Sequence, residues 1–446
     1  MRQRNDIIME YGTYMLVFLV SYIASLAGLY YLSGALLVAE ALYLYIHLVR
    51  ETKNLVELRA LFTLAWVGGQ GIACLQLSKL QKDWNYITWL CFFLIYIGFG
   101  IGYEWGQKYG KTEEKELQKD ECQASRLFIC ILCLGVISIL CFVFEAVKVG
   151  FIPLFSDKPH AYSYFHVSGV HYFTISCILI PAMTILFMKV GNLRGTGRRI
   201  ALLFANVTAV VIPFLCVSRF QLLFAVGFAV VTYIIVYRKI RLRTMLLLIV
   251  AMIPVYIVLT VFRHHDVAYL NSIFEMKYAR MPIFVTQPYM YVANNFENFN
   301  CMVEQLTEHS LGLRMLFPVF ALTGLKFAFP QLVSYPVFLT KQELTTLTMF
   351  YDAYYDFGIL GVFLFALIIG GAARVLTQVI KRSGNPVSYL FYGQMAIYLG
   401  LSFFTTWFSN PTTWFWLILT GMMYWFVGYD KNRKGNEQND EEANEC

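Results

Sequence analysis

Long apolar runs separated by short polar joints repeat from one end of the chain to the other. A helix needs roughly 20 residues to cross about 30 Å of hydrocarbon, and runs of that order predict spans at 11–31, 33–49, 60–78, 86–104, 127–147, 170–190, 200–217, 220–237, 244–262, 345–373, 387–406 and 411–428. None alternates with the period of two that a half-buried strand requires. The pattern therefore predicts an all-α polytopic membrane protein of about 12 transmembrane helices, folded as a single membrane domain over 1–446.

Composition agrees. Of the 446 residues 58% are hydrophobic and 14% charged, and the mean hydropathy is +0.58, more apolar surface than a soluble fold can hide. Charge adds a direction. With the amino end inside, 24 of the 35 Lys and Arg residues fall on the cytoplasmic side, as the positive-inside tendency requires. An even number of spans then places both termini in the cytoplasm. The acidic, Asn-rich stretch 430–446 reads as a disordered, solvated tail. The first span lacks a small-residue cleavage pattern and reads as a retained anchor. Topology accounts for the net charge of +7, so nucleic acid is not an implied partner; membrane lipids are.

Seven of the ten cysteines lie inside the spans, where they serve as small buried hydrophobes. Only Cys301 faces out, so no external intrachain bridge is available. The pair Cys130 and Cys133 has zinc-like spacing but no second ligand pair. No cofactor motif is present.

Joint length is the more informative feature. The segment 263–344 lies wholly outside and is long enough for a subdomain, and a joint of that length is usually functional or disordered. Its aromatic and apolar content, as in "YMYVANNFENFN" and "LGLRMLFPVFALTGLKFAFP", argues for order. The second stretch is read as a helix lying at the interface or re-entering it. Tyr289, Tyr291, Phe296 and Phe299 serve chiefly in core packing, with stacking on sugar faces as the alternative.

Four arginines stand on this outer side. Arg219, in "CVSRFQLLF", sits between two spans with almost no loop to hold it in water, and a charge at that depth marks a functional site. Arg263, Arg280 and Arg314 follow. Together they offer guanidinium forks suited to a diphosphate; singly, each reads as an ion pair or headgroup contact. For proton transfer, His309 stands first, with Glu304 and Glu308 nearby. The run His264, His265, Asp266 reads poorly as a metal site, since adjacent histidines seldom point at one ion.

"TLTMFYDAYYDFGILGVFLF", 345–364, puts Asp352 and Asp356 at the outer, amino-terminal end of a helix. Carboxylates there complement the helix dipole and cap free NH groups. Asp356 is also suited to pairing with a substrate-binding arginine. Gly358 and Gly361 favour close helix packing.

The stretch "TLTMFYDAYYDFGILGVFLFALIIGG" resembles the tyrosine-rich, Asp-Phe-Gly helix start of Wzy-type oligosaccharide repeat-unit (O-antigen and capsule) polymerases. "GFIPLFSDKPHAYSYFHVSGVHYF", 150–173, is similar to an outer loop of that family, and "SRF", 218–220, to its Gly-Ser-Arg-Gly turn; Val217 and Phe220 stand where that turn has glycines. The resemblance implies a C-type membrane glycosyltransferase (GT-C-like), in the branch shared with O-antigen ligases, in the bacterial cytoplasmic membrane. It implies donor and acceptor oligosaccharides linked to undecaprenyl diphosphate, an inverting transfer, and a chain-length regulator as protein partner. It gives Arg219 a diphosphate role and makes Asp356 part of the site's frame. The other C-type branch binds a divalent ion through acidic residues on the first outer loop; here that loop is about "YYLSG", so no metal is expected. A lipid-linked oligosaccharide flippase and an O-antigen ligase are the alternatives.

Overall fold

The computed structural model describes residues 4–105, 116–156, 161–193, 195–238, 267–278 and 280–429. Among them the chain is all-helical. The long helices are α1 (Arg4–Leu26), α2 (Tyr30–Thr52), α3 (Leu58–Cys74), α4 (Tyr86–Trp105) and α5 (Glu121–Val149); then α6 (Val170–Val190), α7 (Thr196–Leu215), α8 (Arg219–Tyr237), α9 (Val267–Phe274) and α10 (Ile283–Gln305); then α11 (Tyr351–Arg382), α12 (Val387–Gly400) and α13 (Pro411–Gly428). Eight helices among the described residues are long and apolar enough to cross a membrane: α1, α2, α4, α5, α6, α7, α8 and α11. The helix α3 has 17 residues and α12 has 14. The expected span 244–262, Arg263, the run 264–266 and the tail 430–446 lie outside the described residues.

Helix boundaries follow local chemistry. Asp120 caps α5 by accepting from the NH groups of Cys122 and Gln123, and Gly150, at φ +81°, ends it. Asn410 accepts from Thr412 NH and is followed by Pro411, a favoured start for α13. The segment 345–350, expected within a span, is not helical. Its threonines disfavour helix, and the structure uses them otherwise: Asn298 Nδ2 donates to the Thr346 carbonyl at 2.9 Å, and Met349 NH donates to the Ser402 carbonyl at 2.8 Å.

The contacts divide the bundle into two ends. At one, Arg59 pairs with Glu10 and Glu104, Lys119 donates to Asn192, Lys189 lies over Tyr237 and Asn385 donates to the Tyr424 carbonyl. Arg50, Lys53, Arg126, Arg198, Arg199, Arg238, Lys381 and Arg382 share this basic end, at the same helix termini and joints. The other, loop-rich end gathers 75–86, 150–156, 161–170, 215–219, 267–278, 280–350 and 401–411. There Leu77 NH meets Tyr289, Phe220 meets Tyr291 and Phe404, and Phe173 meets Phe415. Lys79, Lys82, Arg219, Arg280, Arg314, Lys326 and Lys341 stand at the loop-rich end.

Two close approaches hold the centre. A Cβ on Gly102 would strike the Leu367 carbonyl and one on Gly370 the Phe99 carbonyl, so α4 and α11 pack backbone to backbone, as small residues allow in a membrane. Trp66, fully buried, joins three elements through Phe92 at 5.6 Å, Phe296 at 5.3 Å and Phe350 at 4.9 Å.

The described part of the long joint packs on this end, and α10 is its strut. Irregular backbone at such depth needs partners, and asparagines supply them. Asn298 donates to the Leu344 and Thr346 carbonyls, Asn295 to the Phe403 carbonyl at 2.8 Å, and Asn300 accepts from Asn85 NH and Thr88 Oγ1. Phe296 and Phe299 are fully buried, and Tyr289 OH donates to Gln81; these rings pack the core. The stretch 311–330 is not one interfacial helix. It forms two short helices, Phe317–Leu322 and Leu325–Ala328, broken at Gly324 (φ +79°) and ended by Pro330.

Candidate functional site

Asp352 and Asp356, four apart, lie on one face of α11 and both turn toward the segment 309–317. Asp356 is fully buried. It accepts from the Ser310 hydroxyl, from Arg314 NH at 3.2 Å and from Met315 NH at 2.8 Å. The aspartate that pairs with an arginine side chain is the other one: Arg314 Nε donates to Asp352 Oδ1 at 2.6 Å. The pairing expected of Asp356 thus belongs to Asp352, and Asp356 holds backbone. With three donors already on its carboxylate, it has little capacity left for an arginine fork.

A break in α11 makes this docking possible. Gly358 has φ +60° and ψ −144°, a conformation that only glycine adopts cheaply. Just before it, the carbonyl of Tyr355 accepts from Ser310 NH and faces His309 Nδ1 at 3.1 Å, while that of Asp356 accepts from Leu311 NH at 3.2 Å. Leu311 (φ +52°) and Gly312 (φ +101°) turn the chain sharply there. The break, the turn and the carboxylate form one unit. Gly358 therefore serves to bend the helix, in place of the tight packing its sequence context suggests.

Arg314 is held on several sides. Its guanidinium lies 4.5 Å from the Tyr355 ring centroid and 5.5 Å from that of Tyr351, and Nη1 donates to the Pro336 carbonyl at 3.4 Å. Asp352 takes Nε, and no described residue takes Nη2. Arg314 and Asp352 line one wall of a cavity of about 410 Å³. Leu313, Phe317, Val333 and Val337 add apolar surface, and Thr406, Ser409, Asn410 and Pro411, from the turn between α12 and α13, close the far side. An oriented guanidinium with free nitrogen beside an open, partly apolar cavity can receive an anionic oxygen.

The other predicted residues are distributed around this unit. His309 is exposed and stands on the same turn. A donor at Nδ1, facing the Tyr355 carbonyl, leaves the lone pair on Nε2, beside Gly358; His309 does not line the cavity. Arg219 is buried, 7% exposed, in the first turn of α8, where a cation opposes the helix dipole. The turn before it runs through Val217 at φ +53°, and the neighbouring Phe220 packs on Phe404 at 4.6 Å, two residues from the cavity's Thr406. Arg280 is exposed on a turn beside a second groove, of about 250 Å³, lined by Lys79, Asn271, Glu275, Met276, Tyr278 and Met281.

Sequence reasoning passed over the α12–α13 turn. Its signal was "WFSNPTTW", an Asn-Pro helix start flanked by hydroxyls between two apolar runs. It also missed the Glu10–Arg59–Glu104 network, in which Glu10 and Arg59 are buried, joining α1, α3 and α4 at the basic end. Glu10, His47 and Glu51 bring ligand atoms within 4.8 Å of one another there, at the end opposite the cavity.

Comparison with family models, with curated proteins and with solved structures finds no match. Fold and site define a multi-pass, all-helical membrane protein whose loop-rich end holds a cavity walled by an arginine–aspartate pair.

Proposed function

We propose that this protein is a membrane glycosyltransferase of about 12 spans, with both termini cytoplasmic and the loop-rich end facing outward. It polymerises undecaprenyl-diphosphate-linked repeat units on the outer face of the bacterial cytoplasmic membrane. The growing glycan leaves its lipid diphosphate and joins the non-reducing end of an incoming unit, with inversion and without a metal.

The observation that carries this reading is Arg314 at the cavity wall, oriented by Asp352 through Nε with Nη2 left over. As the acceptor hydroxyl attacks the anomeric carbon, the bond to the diphosphate breaks and its electron pair passes to phosphate oxygen. A fixed guanidinium stabilises that growing charge more in the transition state than in the ground state. Asp352 is the carboxylate that lines the cavity, and the hydroxyl proton is assigned to it, with His309, on the turn that bears Arg314, as the other acceptor. Arg219 adds positive charge from the neighbouring turn, in the role its resemblance to the family turn implies. Leu316 and Val319, next along the chain to the cavity's Arg314 and Phe317, and Trp414, on α13 just after Pro411, are exposed, a surface suited to an isoprenoid tail.

Transport is the second reading, favoured by Glu40, 7% exposed in the middle of α2, since a charge within a span often marks an ion or substrate path. One experiment separates the two. Purified protein in liposomes receives lipid-linked repeat units in EDTA. A ladder of lengthened products supports polymerisation, and movement across the bilayer without lengthening supports transport.

A further inference from the structure

Besides Arg314, the cavity is lined by neutral hydrogen-bonding groups. Thr406, Ser409 and Asn410 line it. Ser409 is only 9% exposed, yet no described residue takes its hydroxyl. Asn410 spends its Oδ1 on the cap of α13, accepting from Thr412 NH at 2.9 Å, and its Nδ2 has no partner among the described residues. Tyr335, from the strap over the cavity, likewise lines it with a hydroxyl that no described residue engages. Several hydroxyl and amide groups without a partner among the described residues, gathered on one cavity open to solvent, mark a place where ligand hydroxyls can pair with them.

We infer that the α12–α13 turn is the sugar-reading subsite of this cavity, and that the unit bound is a glycosyl phosphate: one ring with its hydroxyls on Ser409, Asn410 and Thr406, and its phosphate on Arg314. This rests on the glycosyltransferase reading and narrows it. A volume of about 410 Å³ lies near the small end for ligand pockets, so the cavity holds the ring next to the phosphate and not a whole repeat unit. The cation and the hydroxyl-binding groups share one cavity, which suits a ring joined directly to an anion better than a neutral acceptor sugar. Selectivity for that ring follows, because a site built to pair hydroxyls rejects rings that leave its groups unpaired.

The test compares full-length protein in detergent with Ser409→Ala and Asn410→Ser variants. Serine keeps the cap of α13 and loses the amide donor. Titrations use a panel of hexose 1-phosphates and inorganic phosphate. The wild type is expected to bind at least one hexose 1-phosphate more tightly than phosphate. Each variant should lose about tenfold of that preference with phosphate binding unchanged. Hexose phosphates that bind no better than phosphate, or bind both variants as well as wild type, overturn the subsite while leaving Arg314 as an anion site. Binding of neither probe overturns the subsite together with the reading it rests on.

Discussion

Arg314 and Asp352 meet at 2.6 Å through Nε and Oδ1 at the wall of the cavity. The contact fixes the guanidinium plane and leaves the distal nitrogens to the Pro336 carbonyl and to the cavity. A lysine at 314 retains charge but offers a point in place of a fork. Arg314→Lys is expected to lower the rate of glycan lengthening by about 100-fold or more with the folded fraction preserved. Product ladders from reconstituted protein, set beside size-exclusion profiles, measure both.

Arg219 sits buried where the dipole of α8 disfavours a cation. Arg219→Ala is expected to abolish lengthening, measured on the folded fraction from size-exclusion. Elongation at the wild-type rate would remove Arg219 from the mechanism.

Asp356 receives three donors from the turn that bears Arg314. Asparagine puts an amide donor where one of those NH groups points, leaving at least one group unsatisfied at about 1–3 kcal/mol. Asp356→Asn should raise amide hydrogen exchange across 310–317 and reduce activity, without altering exchange in α5 or α7.

Gly358→Ala tests the bend. At φ +60° an alanine is strained, and its Cβ would lie 3.1 Å from His309 Nε2. A loss of about 1–3 kcal/mol is expected, read as a lowered thermal midpoint in detergent, with raised exchange at 309–312.

Burial pushes the Glu297 carboxyl up to about 7, although Trp84 Nε1 and Lys82 NH donate to it and favour its charged form. Its folded value exceeds the ordinary 4.5, so the folded state holds the proton more tightly. That stabilisation is complete below 4.5 and is lost as pH rises through about 7. Thermal stability should fall between about pH 5 and 8, by at most on the order of 3 kcal/mol. Glu297→Gln, which mimics the protonated form, should flatten the profile.

How far the sequence carried depended on the range of the interaction. Apolar run length is local, so helices stand at every expected span within the described residues. The helix was expected from 345 and begins at Tyr351, and the aspartates expected to cap its free NH groups instead bind Arg314 and the turn before it. Which aspartate meets which arginine was not legible, because that depends on the bend at Gly358 and on the register of a turn some 40 residues earlier in the chain. The convergence of four arginines was an inference from side of membrane alone. Arg314 reaches the cavity, Arg280 lies beside another groove, and Ser409 and Asn410 enter from a turn whose polarity resembled an ordinary helix start.

The central claim is that the leaving diphosphate rests on Arg314. A structure of the full-length protein with undecaprenyl diphosphate bound tests it most directly. The account predicts phosphate density within hydrogen-bonding reach of Arg314 Nη2, the lipid tail running over Leu316 and Val319, and Arg314 still joined to Asp352. Diphosphate bound in the groove beside Lys79 and Tyr278, or at the basic end near Arg59, with the Arg314 cavity left empty, would contradict it.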